Sequence, residues 1–176
     1  MKIPTVPWMP PEETEFLTEK LKESFCYLEY GAGGSTVLAA KIGVKSIYSV
    51  ESNNKFLSEI KKIVNFTPIY VYIGPTKGLG YPKDETKRDN WPEYTKKPWE
   101  MMVCDPDLIL IDGRFRTSCL LYSLSKAEPG TTILMDDFRK RHHYHVVEPD
   151  YLVGRMGVFI VKNQELPENT YWFDPR

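Results

Sequence analysis

The chain has 176 residues, 41% hydrophobic and 13% aromatic, which fills the core of one domain and leaves little room for a second. Lys plus Arg total 23 against 24 Asp plus Glu, so no global field draws the chain to nucleic acid or to an anionic membrane, and neither is expected as a partner. Cys26, Cys104 and Cys119 show no close pair and no metal-ligand spacing, and no stretch resembles a leader or a membrane span; the expectation is a reduced, cytoplasmic protein.

Residues 1–11 are proline-rich and read as extended. A helix begins near Pro11-Glu12-Glu13, with proline early and acids in the first turn, and Phe16, Leu17 and Leu21 form its apolar stripe. The pattern then alternates: strand 25–30, helix 34–42, strand 45–50, helix 53–63, strand 68–73, an irregular stretch 74–100, strand 107–112, helix 115–126 and strand 131–136. Such a βαβ series predicts an α/β fold with a mostly parallel, doubly wound sheet and helices on both faces. Leu108–Ile111 and Thr131–Met135 are apolar throughout and belong near its centre. Beyond Asp137 a short helix near 143–148 and two late strands or a hairpin, Tyr151–Val153 and Val158–Val161, are expected, with Tyr171-Trp172-Phe173 as a further candidate edge. The stretch 74–100, rich in Gly, Pro, Lys, Trp and Tyr, reads as a lid-like insertion over a substrate, or as a loop that Trp91 and Trp99 anchor to the domain.

The run Glu29-Tyr30-Gly31-Ala32-Gly33-Gly34-Ser35-Thr36 joins the first of these strands to its helix through a glycine pivot. Gly31 and Gly33 lack the Cβ that would hold a ligand off the backbone, and the helix start presents unpaired N–H groups, with Tyr30, Ser35 and Thr36 alongside. Glu51, followed by Ser52, ends the next strand about 20 residues on, the spacing at which a carboxylate accepts from both hydroxyls of a ribose. A dinucleotide fingerprint wants a third glycine where Thr36 stands, and Glu29 would repel a pyrophosphate while suiting the ammonium of a methionine moiety, directly or through water. On these residues the chain resembles the class I S-adenosylmethionine-dependent methyltransferases. The resemblance implies a Rossmann-like domain with an antiparallel C-terminal strand, and S-adenosylmethionine as cofactor. It also implies that Ile73 and Gly74, after the third strand, flank the adenine.

Asp112 ends the fourth strand, followed by Gly113, and Asp136-Asp137 end the fifth, so a parallel sheet brings all three carboxylates to the glycine-turn edge. Three such charges repel unless something positive intervenes, and a divalent ion is the simplest neutraliser. The arrangement resembles the metal-dependent O-methyltransferases, the catechol and macrocin O-methyltransferase group. By that resemblance Asp112, Asp136 and Asp137 would hold Mg²⁺, which would orient an acceptor hydroxyl and lower its pKa. The blander reading has Asp112 capping the next helix. His142, His143 and His145 follow directly, and His143 or His145, with Asp112, is a candidate to take the acceptor's proton. Arg114, Arg116, Arg139, Lys140 and Arg141 make a local basic rim that suits an anionic acceptor or is simply solvated.

The expectation is therefore methyl transfer to an oxygen of a small, anionic or sugar-like acceptor, in one Rossmann-like domain over residues 1–176, with 1–24 as an N-terminal extension and helix. That short N-terminus offers little helical cover, so a second subunit of a homo-oligomer is a candidate to complete the site. The alternatives are a non-catalytic cofactor-binding or assembly module, and an enzyme using NAD or a nucleotide-sugar, which Glu29 and Thr36 disfavour.

Overall fold

The computed structural model describes residues 3–176; Met1 and Lys2, the start of the extended proline-rich segment, lie outside the described residues. Helix α1 (Pro11–Glu23) has Pro11 at its first position, Glu12 and Glu13 in the first turn and Lys20 and Lys22 in the last, so its ends match the helix dipole. Then come β1 (Cys26–Tyr30), α2 (Gly34–Ile42), β2 (Ser46–Glu51), α3 (Asn54–Lys61), β3 (Thr67–Tyr70), α4 (Trp91–Met101), β4 (Leu108–Ile111), α5 (Arg116–Lys126), β5 (Thr132–Met135), β6 (Tyr151–Val153) and β7 (Met156–Ile160). Local chemistry sets several of these boundaries. Gly43 adopts the left-handed conformation that ends α2, and the Asn53 side chain accepts the Phe56 N–H at 3.0 Å to start α3.

The strands pair in the order β3-β2-β1-β4-β5-β7-β6, with β1 to β5 parallel, β7 antiparallel to β5, and β6 antiparallel to β7. This is the expected doubly wound α/β sheet, and the late segments form a hairpin whose β6 is the edge. Strand order reverses between β1 and β4, which opens a crevice at their carboxyl ends. Both faces are covered. One carries Tyr30, Tyr48, Trp91, Tyr94 and Phe115; the other carries Leu17, Leu21, Val37, Leu57 and Ile60.

Two expectations change. The second half of the stretch 74–100 is helix α4, the crossover between β3 and β4, and it buries Trp91, Tyr94, Thr95 and Pro98. These lie at i, i+3, i+4 and i+7, a helical stripe that Pro92 and Pro98 disguise as a broken loop. The tail Tyr171-Trp172-Phe173 is not a strand: Trp172 packs edge-on against Tyr122, ring centroids 5.6 Å apart, and Arg88 lies over Phe173.

The cysteines also pair where spacing showed no pair. Parallel packing of β1 against β4 brings the start of β1 beside the α4–β4 loop, and Cys26 and Cys104, 78 residues apart, form a disulfide with Cα atoms separated by 6.5 Å. Cys119 alone stays free, its thiol pushed up to about 12 by burial. Cys104→Ser is expected to cost about 3 kcal/mol, since a long loop loses its crosslink in the unfolded chain. The melting temperature should fall by roughly 9 °C for a chain of this size. Thermal unfolding with and without reductant checks this, because reduced wild type should match the variant. Among the described residues no helix is long and apolar enough to cross a membrane.

Candidate active site at the switch point

A cavity of about 570 Å³ opens at the carboxyl ends of β1 and β4. The glycine turn, Gly31 to Ser35, forms one side. Glu51, Ser52, Asn53 and Phe56 form another, and Asp112, Gly113, Arg114 and Tyr94 a third. Pro4, Pro7 and Trp8 of the N-terminal segment and Lys77, Leu79 and Gly80 of the β3–α4 loop lie at its mouth. The extended N-terminal residues thus contribute to the cavity from within the same chain.

The two decisive glycines act by letting chain segments touch. Gly31 has φ +100°, and a Cβ there would lie 2.7 Å from the Gly113 backbone, so the turn after β1 and the loop after β4 are in contact. A Cβ on Gly34 would run into the Val6 carbonyl, so the N-terminal segment crosses directly over the start of α2.

Glu29 does not reach the cavity, which corrects the expected ammonium contact. Its side chain is fully buried, and its carboxylate accepts from the Tyr27 hydroxyl at 3.1 Å, the Ser35 hydroxyl at 2.6 Å, the Ser49 hydroxyl at 2.5 Å and the Thr36 hydroxyl. Thr36 in turn accepts the Gly33 N–H at 2.9 Å. One buried carboxylate therefore ties β1, the glycine turn, α2 and β2 together. Burial raises its pKa against the lowering pull of these hydroxyls. Thr36 stands where a third glycine was absent because its hydroxyl links the turn to Glu29.

Glu51 does line the cavity. Its Oε1 accepts from the Ser52 N–H at 2.6 Å, the Ser52 hydroxyl at 3.1 Å and the Asn53 N–H at 2.9 Å, and Oε2 has no hydrogen-bond partner among the described residues. Burial lifts this carboxyl above its ordinary range, partly offset by those N–H groups.

Asp112, Asp136 and Asp137 converge as expected, but guanidinium groups take their charge. Arg116 donates to Asp112 Oδ1 at 2.8 Å, to the Asp112 and Asp136 carbonyls at 3.0 and 2.8 Å, and to the Gly113 carbonyl at 3.0 Å, so one side chain stitches the ends of β4 and β5. Asp137 sits between Arg141 and Arg155, each at 2.9 Å, which hold it below the carboxylate range despite burial. Asp136 lies 3.9 Å from Arg155 and 3.7 Å from Arg116. Mg²⁺ demands oxygens facing one point with their charge available. Asp112 and Asp137 are engaged by arginines, Asp136 Oδ1 is buried without a hydrogen-bond partner, and no three acidic, His or Cys side chains are grouped to hold an ion among the described residues. The arrangement does not fit the expected metal; arginine supplies the positive charge that three adjacent carboxylates require. Asp112 alone of the three lines the cavity. Burial pushes its carboxyl up to about 7, Arg116 pulls it down, and Asp136 and Asp137 push it up again.

The histidines are not at the cavity wall. His145 stacks on Phe138 with centroids 4.5 Å apart, and its Nε2 sits 3.0 Å from the Phe138 carbonyl, a packing role. His143 does not line the cavity; its Nε2 is buried with no hydrogen-bond partner among the described residues, and burial with nearby Arg176 lowers its pKa. Ile73 is a core residue whose carbonyl accepts the Trp91 indole N–H at 2.9 Å, and Gly74 faces the Lys87 side chain, so neither lines the cavity. Tyr30 is buried too, its hydroxyl donating to the Thr95 carbonyl at 3.0 Å. Of the expected cofactor residues, Gly31, Gly33, Ser35, Glu51, Ser52, Asp112 and Gly113 meet at the cavity. Sequence reasoning missed Trp8, Phe56 and Tyr94. Tyr94 was legible only as part of the α4 stripe, and Phe56 only as the residue that Asn53 caps.

Sheet order, glycine turn and cavity together define a Rossmann-like domain of methyltransferase architecture. Over 97% of its length the chain matches the whole of a methyltransferase-like protein from Silicibacter pomeroyi at 31% identity, with a TM-score of 0.86. The chain belongs to this methyltransferase-like family. A SAM-dependent methyltransferase from Neisseria gonorrhoeae shares the fold at 12% identity and a TM-score of 0.53, over 88% of this chain and 69% of its own. No family model and no curated protein matches the chain.

Proposed function

We propose that the protein binds S-adenosylmethionine in this cavity and transfers its methyl group to an oxygen of a small, anionic or sugar-like acceptor, without a metal. The observation that carries the reading is Glu51, at the end of β2 in a methyltransferase-like fold, with one carboxylate oxygen held by the loop and the other free at the cavity wall. In this reading Glu51 accepts from the ribose hydroxyls. Asp112, the remaining carboxylate of the wall, takes the ammonium that Glu29 cannot reach. The bound cofactor supplies an electrophilic methyl on a sulfonium. The protein's share is alignment of the acceptor and exclusion of water, with Tyr94 closing the back and Trp8 and Leu79 the mouth.

Isothermal titration tests this: S-adenosylhomocysteine should bind one to one and NAD should not, with chelator making no difference. Asp112 gives the binding a pH signature. Below about 7 its carboxyl is protonated and neutral, and above that it is an anion that attracts ammonium. Affinity for S-adenosylhomocysteine should therefore rise, by about fivefold, between pH 6 and 8. Asp112→Asn should flatten the rise, and 5′-methylthioadenosine, which lacks the amino-acid group, should show none. A non-catalytic cofactor-binding module is the second reading, favoured because neither His143 nor His145 reaches the cavity and arginines engage the carboxylates beyond it. It predicts the same binding with no labelled product from methyl-labelled S-adenosylmethionine and a pool of hydroxylated acids and sugars.

A further inference from the structure

Of the two cations that line the cavity among the described residues, Lys77 is exposed, whereas Arg114 is buried with no carboxylate at ion-pair distance, and across the wall it acts on the charge of Glu51. Arg114 follows Gly113 at the end of β4 and is only 7% exposed. Its neighbours Arg116, Arg141 and Arg155 all pair with Asp112, Asp136 or Asp137, yet Arg114 makes no ion pair among the described residues. Its guanidinium lies 4.1 Å from the centroid of the Tyr81 ring, within reach of that phenol, and donates to the Pro175 carbonyl at 3.5 Å. A carbonyl at that distance and an aromatic face do not replace the hydration of a buried guanidinium. Tyr81 reports the resulting field: burial would raise its phenol, but Arg114 and Arg141 beside it hold it below the usual range. A buried guanidinium on a residue of the cavity wall, with a phenol and a second guanidinium beside it at the cavity's edge, is suited to a planar or tetrahedral anion held in a fork of N–H donors.

We infer that Arg114, with Tyr81 and Arg141, is the recognition site for a carboxylate or phosphate on the methyl acceptor. The assignment deepens the methyltransferase reading and rests on it for the identity of the second ligand. It also sorts the basic rim: Arg116 is structural, since its donors are spent on the ends of β4 and β5, whereas Arg114 has donors to spare.

Inorganic phosphate serves as probe, titrated into wild type with and without saturating S-adenosylhomocysteine. Phosphate should bind saturably, and Arg114→Gln should weaken it at least tenfold while Arg114→Lys stays within about threefold of wild type. Arg141→Gln, a more exposed change, should weaken it severalfold and keeps the test open if Arg114→Gln does not fold. Absence of saturable phosphate binding to wild type, or binding indifferent to both Gln variants, would overturn the assignment. So would the other source of a carboxylate: if Arg114→Gln weakened S-adenosylhomocysteine tenfold and left 5′-methylthioadenosine unchanged, Arg114 would be reading the cofactor's own carboxylate. Arginine-dependent phosphate binding to a protein that ignores S-adenosylhomocysteine would sustain the anion site and remove the cofactor reading instead.

Discussion

Glu29→Ala should lower stability by about 4 kcal/mol, because it leaves the buried hydroxyls of Tyr27, Ser35, Thr36 and Ser49 without their shared acceptor and opens a void between β1, β2 and α2. For a chain of this size that is roughly 12 °C in melting temperature, and a large part of the total stability of an ordinary domain. Glu29→Gln keeps the shape and one acceptor and should cost about half as much. The pH dependence separates charge from shape. Burial raises the folded pKa of Glu29 above its unfolded value, so its stabilising contribution is complete below the ordinary glutamate range and declines as pH rises through the raised value. The stability gap should therefore move in favour of Glu29→Gln as pH climbs above that range. Thermal and denaturant unfolding across pH measure this. If Glu29→Ala left the melting temperature unchanged and abolished binding of S-adenosylhomocysteine, the carboxylate would be a ligand group and the structural role assigned to it would fail.

Glu51→Ala should weaken S-adenosylhomocysteine about 100-fold. Two hydrogen bonds from a ribose to a charged acceptor are together worth about 3 kcal/mol, and 1.4 kcal/mol is a factor of ten. Adenosine, which keeps the ribose, should lose affinity in parallel. Glu51→Gln retains an oxygen for the Ser52 and Asn53 N–H groups and should fall about tenfold, separating the ribose contact from collapse of the β2–α3 loop. A loss under threefold in Glu51→Ala, by titration calorimetry, would rule out the ribose contact.

Glu29 and Glu51 show how far a spacing can be trusted. Both end or nearly end a strand at the right distance from the glycine pivot, and on sequence they are equivalent ligand candidates. Glu51 is the last residue of β2 and emerges at the cavity; Glu29 is the penultimate residue of β1, so the pleat and the neighbouring strands close over it. Alternation decides which side of the sheet a side chain meets, and a motif that counts residues does not record what packs there. The carboxylates follow the same logic. Their convergence on one edge was legible from the ends of β4 and β5, but their neutraliser was not, because Arg155 comes from the β6–β7 turn and Arg116 turns back from α5.

Periodic apolar runs, strand ends and the glycine pivot lie within single elements, so the order of elements, the doubly wound sheet and the edge that carries the site were readable residue by residue. The helix hidden behind Pro92 and Pro98, the Cys26–Cys104 pairing, the N-terminal cover over Gly34 and the burial of Arg114 without an ion pair each depend on segments far apart in the chain. Such contacts exist only once β1 and β4 lie side by side, because burial, counter-charge and crosslinking are properties of neighbours in space and leave no local pattern behind.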